Sequence, residues 1–285
     1  MEQISWFYFS ISATVLFGVM AALYKVPSFK NQSRHVALFW AVATSFVLSL
    51  ILFSQFLYLA SPGMIIAAFI WGGSFTLLTM LQMYALKHID TNTLFPITGI
   101  SALILAVVLG FIFFQENISL LQFLGIILVI FVVYFYLYKK KKFQYSKQIL
   151  IVGSGIVFFS VFNKILQKIM ADAYDIHAYQ IFQYLGAVIF SFLLILYFHK
   201  KDFKKHFTKA SLFSGSLIGL FSFLGGYATL IALTKGPFTL ITSIHSLYIL
   251  ITALTGAALF KEKLTKKIIA LLILSVIAVI MIKIG

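Results

Sequence analysis

His245 is the only ionisable side chain that lies deep inside an apolar run of this 285-residue chain. It stands eight residues past Pro237, which at 1.5 Å per helical residue sets it about 12 Å into a hydrocarbon core of about 30 Å. Thr242, Tyr248 and Thr252 share its helical face at three- and four-residue spacing. A histidine so placed can contact a substrate, carry a coupling proton, or rest neutral against a neighbouring hydroxyl. Lys164, preceded by Asn163, is the second candidate. Either it snorkels to the outer interface, with Lys168 and Asp172 paired beside it at i,i+4, or its ammonium faces a cavity and favours an anionic or carboxylate-bearing solute. The run Tyr179, Gln180, Gln183, Tyr184 adds amide and phenol groups, and Trp71, Thr79, Gln82, Tyr84, Tyr227 and Thr229 add more on two further runs. The candidate substrate-binding set is therefore His245, Tyr248, Thr252, Gln180, Gln183, Tyr184, Asn163, Lys164, Gln82, Tyr84, Trp71 and Tyr227.

What is missing narrows the chemistry. All seven carboxylates, Glu2, Asp90, Glu116, Asp172, Asp175, Asp202 and Glu262, fall in turns or at the ends of apolar runs. None is a buried acid for cation–proton exchange, so a cationic-drug pump built on a midmembrane glutamate is disfavoured. Glu116 and Glu262 read as caps at the start of the helix that follows each, where an anion suits the macrodipole. No cysteine is present, which excludes disulfides and thiolate metal sites. No metal-ligand cluster, nucleophile with a base, or phosphate-binding loop is found, so neither an enzyme nor a cofactor is expected.

The elements that must position these residues are membrane helices. With 62% hydrophobic and 10% charged residues, the composition is far from a soluble domain of roughly half apolar and a quarter charged residues. The apolar runs suit helices rather than the alternating strands of a barrel. Ten spans can be marked, at about 4–24, 36–58, 63–86, 92–114, 118–138, 148–168, 176–198, 208–234, 237–260 and 264–284. Thr93, Leu94, Gly110, Phe114 and Glu116 return 146 positions later as Thr239, Leu240, Gly256, Phe260 and Glu262. A weaker echo at 142 pairs Phe17, His35 and Ser49 with Phe159, His177 and Ser191. Five spans is an odd number, so the copies must lie in opposite orientations. The expected fold is an all-α integral membrane protein of ten transmembrane helices in two inverted five-helix repeats, 1–138 and 148–285, joined by the basic linker 139–147.

Eighteen of the 22 basic residues lie in turns after odd-numbered spans, and Lys164, Lys168, Lys235 and Lys283 are the remainder. The positive-inside rule makes the first side cytoplasmic and turns both termini outward. The same placement explains the net charge of +15 without nucleic acid. The fifth and tenth spans have almost no polar side chains, which predicts that they lie at the periphery while the other eight enclose a cavity.

The tract from Leu16-Phe17-Gly18 to Lys25, the Tyr84-Ala85-Leu86-Lys87 end of the third span with its echo Ala232-Leu233, and the matched signatures Phe113-Phe114-Gln115-Glu116 and Leu259-Phe260-Lys261-Glu262 resemble the drug/metabolite transporter superfamily, specifically EamA-type ten-helix carriers. The resemblance implies eight helices around a central cavity, two peripheral helices, and export or exchange of small metabolites or drugs by alternating access. The sequence departs from the family in carrying phenylalanine at Phe17 and Phe159, where tryptophan is usual, and in its outward termini. The expected function is a secondary carrier for small metabolites such as amino acids or other carboxylate-bearing compounds. Alternatives are a multidrug efflux carrier and, from another class, a lipid-handling protein or membrane enzyme using the turn cluster His199, Lys200, Lys201, Asp202 and His206. Expected partners are a small-molecule substrate and the bilayer of the cell membrane, with the chain a monomer or homodimer.

Overall fold

The computed structural model describes residues 2–29, 32–85, 91–137, 147–198, 206–260 and 266–285. The linker 139–146, Lys87, Asp90, the cluster members at 199–202 and the second repeat's Glu262 lie outside the described residues. The long helices follow the apolar runs in order: first Glu2–Leu23, second Arg34–Phe53, third Pro62–Ala85, fourth Thr91–Phe114, fifth Leu120–Leu137, sixth Lys147–Ala173, seventh Ile176–Phe198 and eighth Lys209–Lys235. A ninth run is split into Phe238–Ser246 and Tyr248–Phe260, and a tenth covers Lys266–Ile284. Among the described residues no strand is present. A short helix Lys25–Phe29 and a 3₁₀ turn Ser54–Leu59 extend the first two helices.

Local chemistry sets several of these ends. Thr208 and Ser211 form a capping box at the start of the eighth helix. Asp175 accepts from the backbone of His177 at 3.0 Å and of Ala178 at 2.9 Å, which starts the seventh. The fourth helix stops at Gln115, whose φ of 47° lies in the left-handed region. The fifth helix is capped by its own Ser119–Gln122 box, each side chain bonding the other's backbone at 3.1 Å.

Among the described residues seven helical stretches are long and apolar enough to cross a membrane: Trp6–Pro27, Arg34–Leu59, Pro62–Gln82, Ile176–Phe198, Lys209–Lys235, Phe238–Leu259 and Lys266–Ile284. The stretches Thr98–Phe114 and Leu120–Tyr136 are apolar but shorter. The sixth helix is long but carries Lys164, Lys168 and Asp172, and its polarity separates it from the rest.

Close approach of backbones holds the bundle together, since inside lipid there is no hydrophobic drive between helices. A methyl group on Gly72 of the third helix would stand 2.5 Å from the Ala187 nitrogen and 2.7 Å from the Gly186 carbonyl carbon of the seventh. Gly219 of the eighth helix lies as tightly on the Ala41 backbone of the second. Ser45 seals that crossing by donating to the Gly219 carbonyl at 2.9 Å. The first three helices thus pack on the sixth, seventh, eighth and ninth, joining the two halves of the chain. The fifth and tenth helices pack on each other. Val129, Val132, Leu271 and Ala278 face inward there, while Phe123, Ile127, Ile273 and Val276 are exposed. An exposed apolar belt of this kind belongs in lipid.

Candidate functional site

Between the two halves lies a partly open cavity of about 230 Å³. The first helix presents Phe17, Met20, Ala21 and Tyr24 to it, a spacing of i, i+3, i+4, i+7 that is one helical face. The third presents Trp71, Phe75 and Gln82, and the sixth Ser160, Asn163, Lys164 and Gln167. Tyr184, Ser222, Gly226 and Thr229 come from the seventh and eighth helices, and His245 and Tyr248 from the ninth. The polar face of the sixth helix is therefore the cavity wall, which is why that helix is less apolar than its neighbours.

Several groups in this wall have unmet hydrogen-bonding capacity. His245 is 7% exposed, Trp71 6% and Asn163 5%. The His245 Nε2, Trp71 Nε1 and Asn163 Nδ2 atoms are buried without a partner. Asn163 is held in orientation by Ser74, whose hydroxyl donates to its Oδ1, so its amide NH₂ is left unmatched. A buried polar group without a partner costs about 1–3 kcal/mol, and a ligand that met these three would recover part of that. Rings surround them: Trp71 stacks on Phe75 at 4.9 Å, meets Tyr184 edge-on at 6.1 Å, and Phe17 meets His245 edge-on at 6.1 Å. Tyr184 donates to the Ser222 carbonyl at 2.8 Å and is thereby fixed.

Lys164 lines the cavity. The interface role belongs to Lys168, one turn further out, which pairs with Asp172 at 2.8 Å and donates to the Leu233 carbonyl at 2.8 Å. Among the described residues no carboxylate pairs with Lys164, and none of the residues lining the cavity is acidic.

The backbone of the ninth helix is interrupted beside His245. Leu247 bonds back to Ile244 at 3.1 Å and accepts from Leu250 at 3.0 Å, two i,i+3 bonds that form a tight turn between the helical pieces. Thr14 donates to the Ile244 carbonyl at 3.3 Å, supplying part of what the break leaves open. Sequence periodicity treats this run as one continuous helix. No proline or glycine stands at the break, so the sequence carries no local signal for it.

Of the residues expected from sequence, seven line the cavity: Trp71, Gln82, Asn163, Lys164, Tyr184, His245 and Tyr248. The other five do not. Gln180 and Gln183 are fully buried between helices, Gln180 donating to the Phe223 carbonyl at 3.2 Å. Thr252 turns to the first helix and donates to the Gly18 carbonyl at 3.1 Å. Tyr227 bonds His177 Nε2 at 2.9 Å near the end of the bundle, where Phe56 stacks on the imidazole at 4.3 Å. Tyr84 is 42% exposed on the outer side of the third helix. Sequence reasoning missed Ser160 and Gln167, which lie four residues before and three after Lys164 on its own face, and the rings of Tyr24 and Phe75. The spacing from Lys164 was the available signal.

Glu116 also departs from expectation. Its carboxylate does not cap the fifth helix, which has its own box. It accepts from the backbone amide of Phe238 and, at 2.9 Å, from that of Thr239. These are the first amides of the ninth helix, so Glu116 ties the first half of the chain to the second.

A helical bundle with a lipid-facing belt and a central cavity shared by its two halves defines a multi-pass membrane protein. Residues 147–284 match the EamA-like transporter family, in keeping with the resemblance carried by the sequence signatures. A solved crystal structure shares the fold, with a TM-score of 0.77 over 97% of this chain and 95% of its own at 13% identity. No curated protein matches the sequence.

Proposed function

We propose that the chain is a secondary carrier that exports or exchanges a small carboxylate-bearing metabolite, its ten spans forming two inverted five-helix repeats that rock about the central cavity. The observation that carries this reading is the cavity wall itself, which among the described residues holds one ammonium, at Lys164, three unpartnered polar atoms and no acid. A multidrug pump for cations would place a carboxylate there. The interrupted ninth helix supports the same reading, since broken helices at midmembrane depth supply backbone groups to solute sites in many carriers. With the charge bias setting the turns after odd-numbered spans in the cytoplasm of the cell, both termini face outward.

The test is counterflow in proteoliposomes loaded with a panel of amino acids and organic acids. His245→Ala and Lys164→Gln are expected to reduce flux at least tenfold while the protein still elutes as a folded species. Full activity in both would remove the cavity as the site. A reporter fused at Gly285 that is active only in the cytoplasm would reverse the orientation.

A further inference from the structure

The charge of the cavity makes a narrower statement than the carrier reading on which it rests. We infer that the site selects organic monoanions, a carboxylate on an apolar or aromatic body, over zwitterions of the same shape. The cavity of about 230 Å³ brings Lys164 into the same wall as Trp71, Asn163 and His245. Among its described residues the wall offers one lysine, Lys164, and no acid. Its unpartnered atoms at Trp71 and Asn163 are donors, and the His245 Nε2 donates or accepts according to its tautomer. A carboxylate can pair with Lys164 and take bonds from these donors, which leaves both charges met.

A zwitterion of the same body brings an additional ammonium. Nothing acidic among the described lining residues receives it, and the amide oxygens of Gln82, Asn163 and Gln167 can accept from it but bring no charge to offset it. The faces of Trp71 and Phe75 are stacked on each other at 4.9 Å, which leaves one side of each for a cation–π contact. That contact lies in the same small cavity as the Lys164 ammonium, and two cations so close in a medium of low dielectric repel strongly. The rings of Phe17, Tyr24, Phe75 and Tyr248 meanwhile supply apolar surface for the uncharged body. Charge thus sets the preference for the head group and the rings set it for the body.

The experiment uses four compounds with one aromatic body: 3-phenylpropionate, L-phenylalanine, 3-phenylpropanamide and 2-phenylethylamine. Binding to the purified full chain is measured by thermal stabilisation and titration calorimetry, and flux separately in proteoliposomes. The anion is expected to bind at least tenfold tighter than the zwitterion, or about 1.4 kcal/mol, with the amine weakest. In Lys164→Gln that ratio should fall to within about threefold while the neutral amide binds as before, a result that a variant failing to fold cannot give. Equal or tighter binding of L-phenylalanine, an unchanged ratio in Lys164→Gln, or no binding by any of the four would overturn the inference. Selective binding without flux would leave the selectivity standing and remove the carrier reading. Flux that carries the zwitterion as well as the anion would do the reverse.

Discussion

Replacing Glu116 tests the tie between the halves of the chain. Its carboxylate accepts from two backbone amides, those of Phe238 and Thr239, at a helix start where both residues are fully buried. Hydrogen bonds to a charged group contribute about 1.5–3 kcal/mol each, and an anion at a helix N-terminus adds about 0.3–1 kcal/mol. Two bonds that share one carboxylate are not additive, so Glu116→Ala should cost about 3 kcal/mol, roughly a 150-fold change in the folding equilibrium. Glu116→Gln keeps one carbonyl acceptor and should cost about 1–1.5 kcal/mol, the value of a neutral bond lost and a charge removed. The assay is reversible unfolding in mixed micelles of dodecyl sulfate and a mild detergent, read from tryptophan fluorescence. Asn117→Ala, one residue on and exposed, serves as the control. If Glu116→Ala unfolds at the same dodecyl sulfate fraction as that control, the carboxylate does not hold the ninth helix and the reasoning fails.

Other outcomes follow from the same contacts and are read in the same assay. Gly72→Ala should cost about 1–3 kcal/mol because its methyl meets backbone of the seventh helix that cannot turn aside. Gly153→Ala, which meets nothing within 4 Å, should instead gain up to about 1 kcal/mol of helix propensity. Gln183, fully buried with both amide atoms unpartnered, should be replaceable by methionine with a gain of about 1–3 kcal/mol and no loss of flux; a loss of flux would return it to the solute site. Gln115→Gly should stabilise by about 0.5–1 kcal/mol, the left-handed strain at φ 47° less the chain entropy of glycine.

Much of the site could be read from depth along the chain. The distances of His245 from Pro237 and of Lys164 from the start of its span are set by 1.5 Å per residue, and the lack of buried acids needs no coordinates. Depth fixes how far into the bilayer a side chain lies but leaves open which way it turns. Gln180 and Gln183 were placed at a useful depth and lie on a face that packs on neighbouring helices, because the rotation of the seventh helix is set by its close contact at Gly186 with the third. Lys164 illustrates the same limit from the other side: depth alone favours snorkelling, whereas helix rotation turns Lys164 to the cavity and leaves Lys168 to pair with Asp172.

By itself the sequence determined that this is a helical membrane protein, through apolar runs whose lengths match a bilayer and a composition no soluble core needs. It also carried the echo of Thr93 to Glu116 in Thr239 to Glu262, on which the proposal of two inverted copies rests. The tertiary structure decided which polar residues meet. It put Lys164, Asn163, Trp71 and His245 around one cavity, broke the ninth helix beside that histidine, and carried Glu116 across to the other half. These are outcomes of helix rotation and of contacts between residues far apart in the chain, such as Ser74 with Asn163 and Glu116 with Thr239, and no local spacing encodes either.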